Sequence, residues 1–115
     1  LVVNAIEHAD GTPVTITLAT TETDVACRVR DRGVGMTQEV ADHVFDRFYR
    51  ADTARARTTG GTGLGLAIAT EDVAIHGGRL QVYGEPGRGA SFLMTLPKKA
   101  GEDIVSRPLA LWENE

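Results

Sequence analysis

Two glycine-rich segments hold residue types that could bind a flat base and a phosphate. The first, Asp31 to Met36, follows an alternating apolar run and includes Gly33 and Gly35. A carboxylate at a strand end can accept a hydrogen bond from an exocyclic amine, and glycines let the backbone approach a base closely. The same D-x-G-x-G spacing is typical of an ordinary turn in which the aspartate bonds its own backbone. The segment therefore predicts either a base contact or a structural turn.

The second segment leads directly into a helical pattern. It consists of Gly61, Thr62, Gly63, Leu64, Gly65 and Leu66. Unpaired N–H groups and the positive end of the helix dipole meet at such a position, which favours binding of a phosphate. The segment is not a dinucleotide fingerprint, whose glycines open the first helix of a βαβ unit, and it is not a Walker loop, since no G-K-S/T follows. We therefore predict a phosphate contact of another type.

Other polar residues could supply a metal ligand and positive charge. Asn4 lies with Glu7 and His8 along the edge of an apolar helical pattern, and an amide oxygen is a ligand suited to Mg²⁺. A solvated helix face is the alternative interpretation. From Arg47 to Arg57 four arginines accompany a single aspartate, an excess of +3 in a chain of net charge -4. Such an excess suits a loop that closes over phosphate oxygens, although a solvated charge run has the same composition.

The composition limits the class of protein. With 115 residues, of which 42% are hydrophobic, the chain has the size and composition of one globular domain. The negative net charge argues against a broad nucleic-acid interface, and no apolar run approaches the ~20 residues needed to cross a bilayer. One cysteine, Cys27, allows no intramolecular disulfide. Leu1 to Asp10 has helical periodicity but no N-cap, so we expect the chain to be part of a longer protein.

Periodicity predicts the elements that must position these residues. Alternating apolar side chains predict a hairpin with Val14, Ile16 and Leu18 on one strand and Val25, Cys27 and Val29 on the other. Thr37 is expected to cap a helix, and a second helix is predicted from about Leu64 to His76, ended by Gly77. The predicted buried positions are Val40, Ala41, Val44, Phe45 and Phe48 on the first helix, and Leu64, Ile68 and Ile75 with Leu66, Ala69 and Val73 on the second. A last hairpin is predicted from Arg79 to Gly84 and from Ala90 to Pro97, with positive φ angles at glycines of its turn.

Taken in order, these segments resemble the ATP-binding catalytic domain of bacterial two-component sensor histidine kinases. That domain has the Bergerat fold, shared with gyrase, the heat-shock chaperone ATPase and mismatch-repair ATPases. Asn4 to His8 is similar to the end of the family's N box, Asp31 to Met36 to its G1 box, Phe45 to Arg50 to its F box, and Gly61 to Leu66 to its G2 box. Gly87 to Phe92 is similar to the glycine turn that enters the family's last strand. Four boxes in family order are far more specific than any one of them.

The resemblance implies a fold and a division of the chain. The fold is an α+β two-layer sandwich in which helices cover one face of a mixed β-sheet, here an incomplete Bergerat fold. Residues 1–97 would form the kinase ATP-binding domain without its N-terminal part. Residues 98–115 would be a polar C-terminal tail, either a docking element or a linker.

The resemblance also implies roles for individual residues. Asn4 would be the Mg²⁺ ligand, and Asp31 would bond the adenine amine while Gly33 and Gly35 line the base. Arg47 and Arg50 would act at the γ-phosphate, with Asn4, as the catalytic set. The remaining nucleotide contacts implied are His8 at the phosphates and the loop made by Gly61, Thr62, Gly63, Leu64 and Gly65.

The function implied is transfer of the γ-phosphate of Mg-ATP to a histidine on a dimerisation segment absent from this chain. A response regulator would receive the phosphoryl group, and the parent protein would be a dimer whose kinase part is cytoplasmic, with an anchor at the inner face of the membrane. Nucleic acid is not an expected partner. Alternatives stay open: a Bergerat-fold ATPase, or a nucleotide-binding regulatory module that has lost catalysis, or an anti-sigma kinase that acts on a serine.

Overall fold

The computed structural model describes residues 13–46 and 65–112. Within these ranges the chain forms helices packed against a sheet, which confirms the α+β class. In chain order the elements are β1 (Val14–Thr20), β2 (Asp24–Asp31), α1 (Gln38–His43), α2 (Gly65–Ile75), β3 (Arg79–Glu85) and β4 (Gly89–Pro97). Neither helix in the described ranges is long and apolar enough to cross a bilayer.

The four described strands form one sheet in the order β1-β2-β4-β3. β1 pairs with β2 in the first predicted hairpin, and β3 pairs with β4 in the second. The hairpins meet where β2 lies beside β4, with Val29 opposite Phe92. Because each hairpin reverses the chain and β4 runs against β2, every pairing between the described strands is antiparallel. In this part of the chain the sheet is therefore antiparallel, whereas the sequence predicted a mixed one.

The apolar side of β1 is more exposed than its alternating pattern predicts. Ile16 and Leu18 are 50% and 70% exposed. β1 lies at one edge of the described sheet, and both described helices pack against β3 at the other edge. The prediction of a half-buried apolar face on β1 is therefore wrong for these two side chains in the described structure, because no described helix reaches them.

Helix α1 begins as predicted but is shorter. The Thr37 hydroxyl accepts a hydrogen bond from the N–H of Val40 at 3.3 Å, which confirms Thr37 as the N-cap. The helix has 6 residues and none of them is fully buried. Beyond its end, Phe45 packs edge-on against buried Phe92 with 6.2 Å between ring centroids, which confirms Phe45 as a core contact. Phe48 lies outside the described residues.

Helix α2 ends at Gly77, as predicted. Gly77 has a φ of 76°, its N–H donates to the carbonyl of Ala74 at 3.0 Å, and the N–H of Gly78 donates to the carbonyl of Val73 at 2.8 Å. These two bonds form a Schellman motif, in which a left-handed residue closes the helix and satisfies its last carbonyls.

The buried face of α2 differs in part from the prediction. Ala67 and Val73 are buried, whereas Ile68 and Ile75 are 52% and 78% exposed. On the predicted face with Leu66, Ala69 and Val73, Val73 is buried and the other two are half-buried. The predicted burial of Ile68 and Ile75 is wrong. The helix carries apolar residues on more than one side, and only one side can meet the sheet.

Residues 98–112, called the C-terminal segment below, cover the face of the sheet opposite the helices. Arg28 Nη1 donates to the carbonyl of Ala110 at 2.8 Å, and the Ser91 hydroxyl donates to the carbonyl of Leu111 at 2.6 Å. Successive side chains of a strand point to opposite faces, so Arg28 and Ser91 lie on the side away from Phe92. The sheet is therefore covered on both faces, which explains why polar residues on this side are buried.

The C-terminal segment is fastened at its other end by a buried carboxylate. Asp24 is 0% exposed, and its Oδ2 accepts hydrogen bonds from the Ser106 hydroxyl at 2.5 Å, the Ser106 N–H at 2.7 Å and the Val105 N–H at 3.2 Å. The Ser106 hydroxyl contributes most to holding the pKa of Asp24 below its usual value, and burial of the side chain opposes it. Asp24 therefore joins the β1–β2 turn to the C-terminal segment.

Candidate functional site

Asp31 lies at the last position of β2 and fastens three parts of the chain together. The side chain is only 1% exposed. Its Oδ1 accepts a hydrogen bond from the N–H of Gly33 at 3.0 Å and another from the N–H of Ala90 on β4 at 3.2 Å. The first bond closes the turn that the D-x-G-x-G spacing predicted, and the second continues the pairing of β2 with β4 through a side chain. Asp31 thus fixes the start of the glycine loop relative to the sheet.

The loop from residue 31 to residue 36, called the G1 loop below, rests on the turn between β3 and β4. Gly35 has a φ of 73°, and a Cβ at this position would overlap the carbonyl oxygen of Glu85. The N–H of Gly87 donates to the carbonyl of Val34 at 2.9 Å. Gly89, at the start of β4, makes an equally close contact with the beginning of the G1 loop, since a Cβ there would overlap the carbonyl oxygen of Asp31. Glycine is therefore required at both positions for the two backbones to touch.

The structure describes only some of the predicted site residues. Asp31, Gly33 and Gly35 lie together in the G1 loop, and Gly65 is the first residue of α2. The other predicted nucleotide and catalytic residues lie outside the described ranges and stay predictions: Asn4, His8, Arg47, Arg50, Gly61, Thr62, Gly63 and Leu64.

The metal prediction depends on one of those residues. Within residues 13–46 and 65–112 there is no group of three or more histidine, cysteine, aspartate or glutamate side chains that could hold an ion. The described part of the chain therefore offers no clustered acidic site for Mg²⁺, and the prediction that Asn4 is its ligand stays a prediction.

The sequence did not predict a cluster of side chains that lies beside the G1 loop, on the face of the sheet opposite the Asp31 side chain. We call it the Trp112 cluster, and its members are Arg30, Tyr83, Glu85, Arg88 and Trp112. The Arg30 guanidinium carbon lies 3.7 Å from the centroid of the Trp112 ring, and the Tyr83 ring meets Trp112 edge-on with 4.9 Å between centroids. Glu85 accepts hydrogen bonds from the Tyr83 hydroxyl at 3.2 Å and from Arg88 Nη1 at 3.1 Å.

Two signals in the sequence could have pointed to this cluster. Arg30 directly precedes Asp31, so the alternation of a strand places it on the opposite face at the same sheet end. Trp112 is the chain's one tryptophan, in an otherwise polar tail.

A hydrogen bond to Glu85 raises the pKa of the Tyr83 hydroxyl, and burial adds to that effect. The hydroxyl therefore stays protonated and continues to donate to Glu85.

A cavity of about 350 Å³ lies between the sheet and the C-terminal segment. Arg79 and Gln81 of β3 line it, together with Arg107 and Leu109 of the segment. None of the described site residues lines it. It lies on the face of the sheet opposite Asp31 and the helices, so it is separate from the G1 loop.

Comparisons with known proteins agree with this arrangement. The sensor histidine kinase MtrB of Mycobacterium tuberculosis (strain ATCC 25618 / H37Rv) is 50% identical over 111 residues, which are 96% of this chain and 20% of MtrB. Full-length ShkA, solved in complex with AMPPNP, matches with a TM-score of 0.70 at 29% identity, over 87% of this chain and 20% of that one. A mycobacterial sensor histidine kinase, MprB, matches with a TM-score of 0.65 at 28% identity, over 84% of this chain and 64% of that one.

The chain corresponds to only a part of the sensor histidine kinases that it matches. The chain spans about one fifth of the length of MtrB, so the comparison concerns one part of that protein. The model of the family described as "Histidine kinase-, DNA gyrase B-, and HSP90-like ATPase" matches residues 1–100, which include β2, the G1 loop and the β3–β4 turn. With the match extending over most of its length, the chain belongs to this family of histidine kinase-type ATPase domains.

Proposed function

We propose that the chain is the ATP-binding domain of a sensor histidine kinase, which binds Mg-ATP and donates the γ-phosphate to a histidine elsewhere in the kinase. The observation that carries the proposal is the G1 loop, in which Asp31 is fixed by two backbone N–H groups and Gly35 is packed against the β3–β4 turn. The likeness to MtrB supports the kinase assignment, and the likeness to ShkA, solved with AMPPNP, supports an adenine nucleotide as the ligand.

Asp31 has the chemistry needed to recognise adenine. An ionised carboxylate only accepts hydrogen bonds and offers about four acceptor positions, of which the two backbone N–H groups use two. The exocyclic amine of adenine can donate to a remaining position, whereas guanine presents a carbonyl oxygen at the same place and would be repelled. The N–H groups of Gly33 and Ala90 fix the carboxylate before the ligand arrives, which lowers the entropic cost of binding.

The residues proposed to bind the phosphates of the nucleotide are those that the sequence identified. Gly65 begins α2, a helix of 11 residues, and we propose that the loop made by Gly61 and Gly63 presents N–H groups to the phosphates at this N-terminus. Arg47 and Arg50 would neutralise charge on the γ-phosphate, and Asn4 would hold Mg²⁺. When bound, Mg²⁺ screens the phosphate oxygens and orients them.

The partners follow from the kinase assignment. We propose that the acceptor histidine belongs to a dimerisation segment of the same kinase, that a response regulator receives the phosphoryl group, and that the domain works on the cytoplasmic side of the membrane. His43 and His76 are exposed and each bonds within its own helix region, His43 to Asp46 at 2.9 Å and His76 to the carbonyl of Asp72 at 2.8 Å. Neither is proposed as the acceptor.

A phosphorylation assay on the whole kinase tests the proposal. With Mg-ATP labelled at the γ-phosphate, we expect label on a histidine of the dimerisation segment. Arg50→Ala should slow the transfer more than it weakens binding of ATP, because its role is proposed at the γ-phosphate. Multiple-turnover release of phosphate without a phosphohistidine would identify an ATPase instead, and binding of ATP without either reaction would identify a regulatory module.

A further inference from the structure

The Trp112 cluster lies against the back of the G1 loop. Arg30 is 7% exposed, and a buried guanidinium must keep its charge in contact with electron-rich groups. Its Nε donates to the carbonyl of Asp31 at 3.3 Å and its Nη2 to the carbonyl of Arg88 at 3.4 Å. The face of the Trp112 ring, 3.7 Å from the guanidinium carbon, is a further contact of this cation.

Two routes connect this cluster to the G1 loop. The first is direct, since Arg30 bonds the backbone of Asp31, whose side chain is the proposed adenine acceptor. The second passes through the β3–β4 turn, where Arg88 lies 5.8 Å from the Trp112 ring and pairs with Glu85 at 3.1 Å. The backbone of Glu85 packs against Gly35, and Gly87 bonds Val34. Trp112 thus contacts Arg30, which bonds the start of the G1 loop, and Arg88, whose turn packs against the end of the loop.

The contacts that the structure describes for the Trp112 side chain are made by its ring. Among residues 13–46 and 65–112 its buried indole N–H has no hydrogen-bond acceptor, while Tyr83 and the two arginines contact the ring. The MtrB match covers 96% of the chain, so it must extend well past residue 100, where the family model ends.

We propose that Trp112 is a positioning residue for nucleotide recognition, holding Arg30 and the β3–β4 turn so that the Asp31 carboxylate keeps the geometry that selects adenine. The proposal rests on the proposed function for its ligand, but the positioning itself is a property of the chain. The C-terminal segment is then a part of the specificity machinery, although it lies on the opposite face of the sheet.

Two substitutions at one position test this in the full chain. Trp112→Leu replaces the aromatic ring with a smaller apolar side chain, and Trp112→Phe keeps a ring over Arg30. The dissociation constants of ATP and GTP are measured by calorimetry for both variants. Because cation–π contacts of this kind correspond to roughly three- to tenfold in an equilibrium constant, we expect Trp112→Leu to reduce the preference for ATP over GTP by about that factor. Trp112→Phe should restore most of it.

Leu109→Ala is the matched control. Leu109 belongs to the same segment and lines the cavity of about 350 Å³, away from Arg30. This variant should lower the melting temperature while leaving the ratio of ATP to GTP affinity unchanged. An unchanged ratio in Trp112→Leu would overturn the proposal, and so would an equal fall in the ratio for Leu109→Ala, since the effect would then belong to packing of the segment in general.

Amide hydrogen exchange separates this inference from the proposed function. Without any nucleotide, Trp112→Leu should accelerate exchange at the N–H groups of Gly33 and Gly87 relative to those of β1. If the whole kinase that contains this chain binds neither ATP nor GTP, the proposed function fails, and the exchange rates still decide whether Trp112 positions the loop. Exchange at Gly33 and Gly87 equal to that of the wild type would overturn the positioning role.

Discussion

One oxygen atom of Asp31 accepts a bond from the N–H of Gly33 within the G1 loop and another from the N–H of Ala90 on β4. The turn interpretation of the D-x-G-x-G spacing is therefore confirmed for Asp31 and Gly33, and it does not compete with the proposed contact to adenine. The same carboxylate can close the turn with one oxygen and accept from a base with its remaining capacity. A residue that fixes its own loop in this way is already oriented when a ligand binds.

Asp31→Asn separates the two roles of the side chain. The amide oxygen of asparagine can still accept from Gly33 and Ala90, so the free energy of unfolding should change by less than about 1 kcal/mol. The amide nitrogen donates where the adenine amine also donates, so the affinity for ATP should fall roughly tenfold or more, as for loss of a charged hydrogen bond. Calorimetry with ATP and urea unfolding measure the two effects. Unchanged ATP affinity in a folded variant would remove Asp31 from the proposed site.

Gly35→Ala should destabilise the chain through a clash as well as through backbone strain. A left-handed conformation costs a non-glycine residue about 1–2 kcal/mol, and the new Cβ would overlap the carbonyl of Glu85. Gly87→Ala is the control, because Gly87 has a φ of 80° but no atom of the described residues lies within 4 Å of its Cβ position. Urea unfolding should show a larger loss for Gly35→Ala, by at least about 1 kcal/mol. Equal losses would mean that the loop and the turn are not in close contact in solution.

The sequence predicts a turn at Gly35, but it does not predict that the backbone of Glu85 packs against this turn. The spacing of Asp31, Gly33 and Gly35 identifies a turn, and nothing in that spacing states that the backbone of residue 85 will lie against it. That contact depends on how two hairpins pair across the middle of the sheet. Likewise, the alternation of β2 predicts which side chains share a face, but it cannot say that Arg30 will be covered by residue 112.

At the scale of elements, hydrophobic periodicity located both described helices and all four described strands. It was less informative about which face is buried. A helix with two apolar stripes, as in α2, has no internal feature that selects the stripe facing the sheet. In the folded chain Gly78 leaves room for close contact between Val73 of the helix and Leu96 of β4. The apolar alternation of β1 similarly predicts a strand but not the number of layers that cover it.

Truncating the two stripes of α2 tests the assignment of its face. Val73 is 8% exposed, so Val73→Ala should lower the free energy of unfolding by about 1–2 kcal/mol through lost burial of two methyl groups. Ile75 is 78% exposed, so Ile75→Ala should change it by less than about 0.5 kcal/mol. Urea unfolding of the two variants, side by side, measures the difference. If Ile75→Ala costs as much as Val73→Ala, the helix is rotated relative to the face described above.

At the scale of the whole molecule, the C-terminal segment covers the face of the sheet that the helices leave open. Its polar composition suggested a docking element or a linker, and the structure shows it bonded to the sheet at Asp24, Arg28 and Ser91. Composition could not distinguish these outcomes, because apart from the Ser106 hydroxyl these bonds use backbone groups of the segment that every sequence possesses. Buried Asp24 and Ser91 are the residues in the sheet that required such partners.

The bond between Asp24 and the C-terminal segment should make stability depend on pH. The Ser106 hydroxyl and the neighbouring N–H groups lower the pKa of Asp24 in the folded chain from its usual value of 3.8. The folded state therefore favours the charged form, and this stabilisation is present above the pKa of the unfolded chain and is lost as the pH falls through the folded pKa. We expect wild-type stability to fall more steeply between pH 7 and pH 3 than that of Asp24→Asn.

Urea unfolding at a series of pH values measures this difference. Glu22→Gln removes the same charge from an exposed position of the same turn and should leave the steep dependence in place. Parallel curves for the wild type and Asp24→Asn would show that the carboxylate does not hold the segment through its charge.

The pairing of β2 with β4 has a consequence for the order in which the chain folds. Each hairpin joins neighbouring stretches of sequence, whereas the β2–β4 pairing joins residues about 60 to 70 positions apart and closes the largest loop in the sheet. The hairpins can therefore form early and independently, but the bond from Ala90 to Asp31 and the contact of Gly35 with Glu85 exist only after they have come together. The nucleotide pocket proposed here would thus be assembled in the last step of folding, and ligand binding would act as a reporter of its completion.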